Sequence, residues 1–338
     1  MPTVVAAPDK FRGTATAAQV AAAIAEAARD AGWDCRQLPL ADGGDGLLDV
    51  LGGANRFTVV TGPTGDPVRA GWRLGPDRGA TIESALASGL VLAGGAAGND
   101  PVTATSRGTG ELIAAALADG ASRVVVGLGG SAMTDGGLGA LEALEPFLPL
   151  TTPLIVLCDV RTGYLEAARV FAPQKGATPQ QVDLLTERLA NDAEYLAARF
   201  GVDVRSLPGA GAAGGLAGAL AAAGGVLRDG FSYVAEASGF ERAVSAADLV
   251  VTGEGRLDAA SFDGKVVGGV VAIARAADVP VLIVAGSIAD EPAEGIEAVS
   301  LEQRFGLGAA LADPLALIRS VVAGRLPGTR AKAPPGGV

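Results

Sequence analysis

The chain has 338 residues, a formal net charge of −11 and no histidine. That length accommodates one large α/β domain or two, and the charge argues against nucleic acid or an anionic membrane as the main partner. The lack of histidine excludes Ser-His-Asp and Cys-His hydrolysis, a histidine zinc site and phosphohistidine chemistry. Proton transfer is left to Asp, Glu, Lys, Tyr, Cys or water.

Hydrophobic residues make up 49% of the chain but aromatics only 4%, so the expected core is Ala, Val and Leu in close helix–sheet packing, and the 50 glycines predict many tight turns. There are two cysteines, Cys35 and Cys158. With no secretory signal before the first strand and no apolar run of membrane-spanning length, the expectation is a reducing cytoplasm with both thiols free and buried.

In chain order, residues 3–7 (T-V-V-A-A) read as a buried strand entering the loop P-D-K-F-R-G-T at 8–14, with Thr14 predicted to cap a helix over 15–31. Residues 35–40 form a second strand that runs into A-D-G-G-D-G at 41–46. In open α/β sheets, ligands bind beyond the carboxyl ends of the strands. By that rule Asp9, Lys10, Arg12, Asp42 and Asp45 face one crevice, with helix capping or an Asx-turn as the alternative for either aspartate of the second loop. Residues 56–74 have the pattern of a β-hairpin turning at 62–67, which does not belong inside a βαβ series and marks a domain change. A short strand and helix over 80–92, a loop at 98–110 and a helix at 111–118 follow.

The stretch 123–140, R-V-V-V-G-L-G-G-S-A-M-T-D-G-G-L-G-A, passes from a β-branched strand through a glycine loop into an apolar-periodic helix. An α/β protein builds an anion site this way, from backbone N–H groups and a helix start; a plain strand-to-helix turn would look the same. Another buried strand, 153–160, contains Asp159, and Thr178 and Pro179 open a polar amphipathic helix reaching 200. The G-A-G-A-A-G at 209–214 matches the dinucleotide fingerprint literally. Pro208 and the poor strand before it argue against nicotinamide binding. A strand at 248–252 enters the charged glycine loop 253–265, followed by a helix at 266–276, strands at 279–285 and 297–301, and a closing helix at 314–323.

The predicted fold is therefore α/β with two α/β domains. A doubly wound, Rossmann-like parallel-sheet domain over 1–55 and 240–325 is interrupted by an inserted α/β domain over 56–239. A cleft lies between them, and a disordered tail spans 326–338. Glycine loops, strand-end acids and loop lysines suit phosphoryl transfer, which needs cradled phosphates, a Mg²⁺ on one or two carboxylates and cationic neutralisation. No G-x-x-x-x-G-K-[ST] sequence is present, so a P-loop is excluded.

Several segments together resemble the type I glycerate kinase family. They are A-P-D-K-F-R-G-T (7–14), L-A-D-G-G-D-G (40–46), G-T-G-E-L-I-A-A-A-L (108–117), G-L-G-G-S-A-M-T-D-G-G-L-G (127–139), C-D-V (158–160), F-A-P-Q-K-G-A-T (171–178), P-G-A-G-A-A-G-G-L (208–216), T-G-E-G-R-L-D (252–258), G-K (264–265) and S-L-E-Q-R-F (300–305). The resemblance implies ATP-dependent phosphorylation of D-glycerate, typically at the 2-hydroxyl, by two α/β domains around a cleft. Departures from the family pattern are Met133 and Thr134 for Thr and Asn, Ala260 for Gln, a different loop at 161–169 and a shorter segment between Glu142 and Pro153.

On this resemblance Asp42 and Asp45 are candidates for metal or substrate-hydroxyl contact, Asp135 for base or metal ligand, and Glu254 and Asp258 for Mg²⁺. Lys10, Arg12, Lys175 and Lys265 would pair with phosphates or the glycerate carboxylate. The backbones at 127–131 (Gly129, Gly130, Ser131) and 209–215 (Gly209, Gly211, Gly214) would cradle anions. ATP and Mg²⁺ are the implied cofactors, and the general base is not assigned uniquely.

Overall fold

The computed structural model describes residues 1–11, 13–290 and 295–326; Arg12 and all of the expected tail beyond Leu326 lie outside them. The chain divides into two compact units, residues 1–41 with 234–338, and residues 42–233. The strands are β1 (Thr3–Ala6), β2 (Asp34–Gln37), β3 (Arg56–Thr61), β4 (Pro67–Leu74), β5 (Gly79–Glu83), β6 (Arg123–Gly127), β7 (Leu154–Cys158), β8 (Val226–Asp229), β9 (Leu249–Leu257), β10 (Val281–Ile288) and β11 (Glu297–Ser300). The helices that matter most are α1 (Ala17–Asp30), α2 (Leu47–Val50), α3 (Arg107–Ala118), α4 (Leu138–Leu144), α5 (Pro179–Phe200), α6 (Leu216–Ala222), α7 (Val266–Ala276) and α8 (Pro314–Arg325).

The first unit is a fully parallel sheet in the order β11-β10-β9-β1-β2. Its central strands β1, β9 and β10 are apolar on both faces because helices cover both. Val4, Ala6, Leu249, Val251, Leu282 and Val284 pack with α1 and α8, while the alternate residues Ile283 and Ala285 pack with Val267 and Val271 of α7. Helix α1 starts two residues later than predicted. Thr16, not Thr14, is the cap, because its hydroxyl accepts the Gln19 N–H while the Gln19 side chain accepts the Thr16 N–H. From β1 the chain winds outward one way to β2, and from β9 the other way to β10 and β11. The topological switch point therefore lies between β1 and β9, where such sheets bind ligands.

Strand β9 also runs further than predicted. It continues through Gly253, Glu254, Gly255 and Arg256 to Leu257, since β10 pairs with it as far as Ile288↔Leu257. The charged stretch expected as a loop from residue 253 thus begins as paired strand, and Glu254 stands on a sheet rather than a loop.

The second unit is a six-stranded sheet in the order β3-β4-β5-β6-β7-β8. The expected hairpin is β3–β4, antiparallel in the register Val60↔Val68, and β5 to β8 are parallel. Ala80, Ile82, Val124, Val126, Leu154 and Val156 face Leu112, Ile113, Ala116, Leu144 and Leu220 from α3, α4 and α6. A further cluster packs Leu185, Leu189 and Leu196 of α5 around Tyr164. Residues 42–55, expected with the first unit, belong to this one: Leu47 and Leu48 are buried, the Leu48 N–H bonds Glu83 of β5, and Asn55 pairs with Leu74. The unit bounds accordingly fall at 41/42 and 233/234. Both cysteines are free and half-buried, and no described helix is long and apolar enough to cross a membrane.

Candidate active site

In the 1–41/234–338 unit the switch point is furnished by the ends of β1 and β9. The Asp9 N–H donates to the Gly253 carbonyl at 2.9 Å, and the Thr252 hydroxyl donates to the Ala7 carbonyl at 2.8 Å, so the two strand ends are tied side by side. Glu254 follows directly. Burial pushes its carboxyl up to about 7 against a hydrogen bond from Ser261, with Asp9 adding repulsion and Lys265 attraction. Its Oε1 is buried and has no hydrogen-bond partner in the protein, and a buried unpaired carboxylate oxygen is costly unless something charged meets it. Lys10 lies 3.9 Å from Asp9. Lys265 occupies the cap position of α7. Asp258 Oδ1 accepts the Ala260 N–H at 3.0 Å, so this acid also caps the short turn that follows β9.

In the 42–233 unit the C-terminal edge of the parallel strands carries Glu83, Gly127, Cys158 and Asp229, held as neighbours by the pairings Glu83↔Gly127, Gly127↔Leu157 and Cys158↔Asp229. The 42–46 loop lies directly on this edge. A side chain at Gly127 would strike the Gly43 carbonyl oxygen, one at Gly129 would come within 2.5 Å of Gly44 Cα, and one at Gly230 would strike the Asp42 carbonyl oxygen. Asp42 Oδ1 accepts the Gly44 N–H at 3.1 Å. The 42–46 loop thus packs against Gly127, Gly129 and Gly130, with Asp45 beside Gly129, whereas Asp9 and Lys10, expected at the same crevice, belong to the other unit. The 127–132 loop is fixed from its other side by Ser84 N–H to Gly127, Leu90 N–H to Gly130, and Ala132 N–H to Ser88, at 2.8–3.0 Å.

Asp135 and Lys175 have protein partners instead. The Asp135 carboxylate, 8% exposed, accepts Ser106 N–H at 2.7 Å, Ser106 Oγ–H at 2.8 Å and Gly137 N–H at 3.1 Å. Lys175 is 3% exposed and its Nζ donates to the Met133 carbonyl at 2.6 Å. Asn99 Nδ2 donates to the Ala132 carbonyl and Tyr164 Oη to the Gly136 carbonyl, at 3.0 and 2.8 Å. Three carbonyls of the loop that follows β6 are therefore held by side chains, two of them, Lys175 and Tyr164, buried. Two of the departures from the family pattern fall into this scaffold: Met133 is in the core, and Tyr164 of the altered 161–169 loop is a fully buried prop.

Gly209, Gly211 and Gly214 pack closely against neighbouring backbone. A side chain at Gly211 would strike the Gly163 carbonyl oxygen, one at Gly214 the Met133 carbonyl oxygen, and one at Gly209 would lie 3.0 Å from the Val160 carbonyl oxygen. On the side a Cβ would take, these glycines admit neighbouring protein backbone. The expected metal set also divides, with Glu254 and Asp258 in one unit and Asp45 in the other. The sequence reading passed over Glu83, although the criterion used for other strand-end acids applies to T-I-E-S at 81–84.

Fold and site define a two-unit α/β enzyme whose acids and glycine loops stand at the C-terminal edges of parallel sheets. The sequence profile of the glycerate kinase family matches residues 4–148 and 149–320. The chain is 38% identical to glycerate 2-kinase of Escherichia coli K12, covering 88% of this chain and 89% of that one, and 40% identical to glycerate kinase of Bacillus subtilis 168, covering 84% and 85%. A crystal structure assigned to glycerate kinase 2 of Salmonella typhimurium LT2 superposes with a TM-score of 0.80 at 36% identity, over 96% of this chain and 98% of that one. The chain belongs to the glycerate kinase family and is a kinase.

Proposed function

We propose that the enzyme transfers the γ-phosphoryl group of ATP, with Mg²⁺, to the 2-hydroxyl of D-glycerate, giving 2-phosphoglycerate. The likeness to E. coli glycerate 2-kinase supports the substrate and the position. The observation that carries the reading on the geometric side is Glu254, a half-buried residue whose carboxylate has one buried, unpartnered oxygen, at the switch point of a doubly wound sheet. Among the described residues no three acidic or thiol groups converge on one metal position. Mg²⁺ is accordingly assigned one or two carboxylates plus substrate phosphates, its usual arrangement with nucleotides. Glu254 and Asp258 are the candidates in one unit and Asp45 in the other; the ion would neutralise charge on the phosphates.

Lys10 and Lys265 are assigned to phosphate or to the glycerate carboxylate. Asp42 and Asp45 are assigned to the glycerate hydroxyls, and the Gly129, Gly130 and Ser131 backbone to an anion. Asp135 and Lys175 act through the loop they hold, without touching ligand. A cytoplasmic setting, where ATP is supplied, fits this role.

The test is ADP release from Mg-ATP and D-glycerate, with the product read by phosphorus NMR. A 3-phosphoglycerate signal would correct the position, and turnover only with another hydroxy acid would replace the substrate. Glu254→Gln should lower kcat by about 10²-fold; near wild-type turnover in that variant would remove Glu254 from the site.

A further inference from the structure

Glu83 ends β5 and is 5% exposed. Its Oε1 accepts the Leu48 N–H at 2.5 Å across 35 residues of sequence, and the Gly46 N–H bonds the same carboxylate. Those amides sit where the D-G-G-D-G loop leaves for α2. Gly46, at φ 88°, caps that short helix but has no side chain with which to satisfy its first N–H groups. Glu83 supplies the missing acceptor from another strand, and two N–H donors on one carboxylate make a strong, directional tie.

The tie is maintained at a cost. Desolvation raises the Glu83 carboxyl to about 7, and Asp45 and Asp49 add like charge. An acid of this kind persists in an interior only where its hydrogen bonds are needed. The other end of the loop is set by backbone contact with Gly230 and its middle by contact with Gly127 and Gly129. The exit, by contrast, is held by a buried side chain from another strand.

We propose that Glu83 is a positioning residue for phosphoryl transfer: it fastens the 42–46 loop to the end of β5 and so sets where Asp42 and Asp45 stand. This rests on the reading that those two aspartates meet substrate or metal. Glu83→Ala and Glu83→Gln in the full chain test it by amide hydrogen exchange over residues 42–50, together with kcat, KM and the pH–rate profile. In Glu83→Ala the amides of 43–48 should exchange at least about 10-fold faster, and kcat/KM for glycerate should fall about 100-fold, as expected for a displaced positioning group. Glu83→Gln keeps one acceptor. It should stay within about 10-fold of wild type in both readouts and retain the acid limb of the pH profile; if the alanine variant fails to fold, Glu83→Asp, whose shorter side chain withdraws the acceptor from the Leu48 N–H, takes its place with the same faster exchange expected. Unchanged exchange in both variants would overturn the proposal. So would a Glu83→Gln variant that loses turnover and the acid limb together, which would make Glu83 a proton carrier. Should the wild-type enzyme phosphorylate no hydroxy acid, the substrate reading fails, while the exchange data still decide whether Glu83 holds the loop.

Discussion

Lys175 shows what burial does to a residue that looks like a phosphate ligand. Its ammonium is sealed inside the 42–233 unit, bonded to the Met133 carbonyl, and desolvation pulls its pKa from 10.5 down to about 7 against the attraction of Asp135. The sign for stability follows. Between about pH 7 and 10 the unfolded chain binds a proton here that the folded chain does not, so folding stability rises with pH across that window. Lys175→Met, which keeps the length and removes the charge, should flatten that rise. Urea midpoints at pH 7 and pH 9 should increase in the wild type more than in the variant, by a difference on the order of 1–2 kcal/mol. Equal slopes in the two proteins would show that Lys175 keeps its proton through some other compensation.

At the scale of elements, glycines decide how closely the loops approach one another. The 209–215 segment resembles a dinucleotide loop in sequence, yet Gly211 and Gly214 face the carbonyls of Gly163 and Met133. Gly211→Ala should therefore lower the urea midpoint by about 2–4 kcal/mol of stability, as overpacking against backbone does, and leave KM for ATP unchanged. An unaltered midpoint with a raised KM would return the segment to phosphate binding. Strand β9 makes the complementary point: because β10 pairs with it as far as Leu257, Glu254 is placed by a ladder of main-chain bonds and inherits the rigidity of the sheet.

For the whole molecule, the relevant fact is that each unit has its own core. The β9–β10–β1 sheet packs with α1, α7 and α8, while the β5–β6–β7 sheet packs with α3, α4 and α6. Residues 42–233 are continuous in sequence and contain their own sheet and helices. Expressed alone, this segment should unfold in one cooperative thermal transition followed by circular dichroism; a broad, non-cooperative melt would mean that its core is incomplete without the rest of the chain.

Strands buried on both faces were legible because they leave β-branched runs, as at Val124, Val125 and Val126, α5 because Thr178 and Pro179 mark its start, and α7 because its apolar period is clean. The short edge strand Val226–Asp229 left no pattern, since it pairs on one side only and Val226 is 59% exposed. Taken alone, the sequence determined the α/β class, the family likeness and the rule that acids and glycines gather at strand ends. Those properties depend on local periodicity and on residue order. Tertiary structure alone decided that Glu83 is a buried acid, that one oxygen of Glu254 is buried without a partner, that Lys175 points inward and that glycines of 209–215 lie against neighbouring backbone. Burial and the approach of one backbone to another depend on residues far apart in the chain, so no local pattern encodes them.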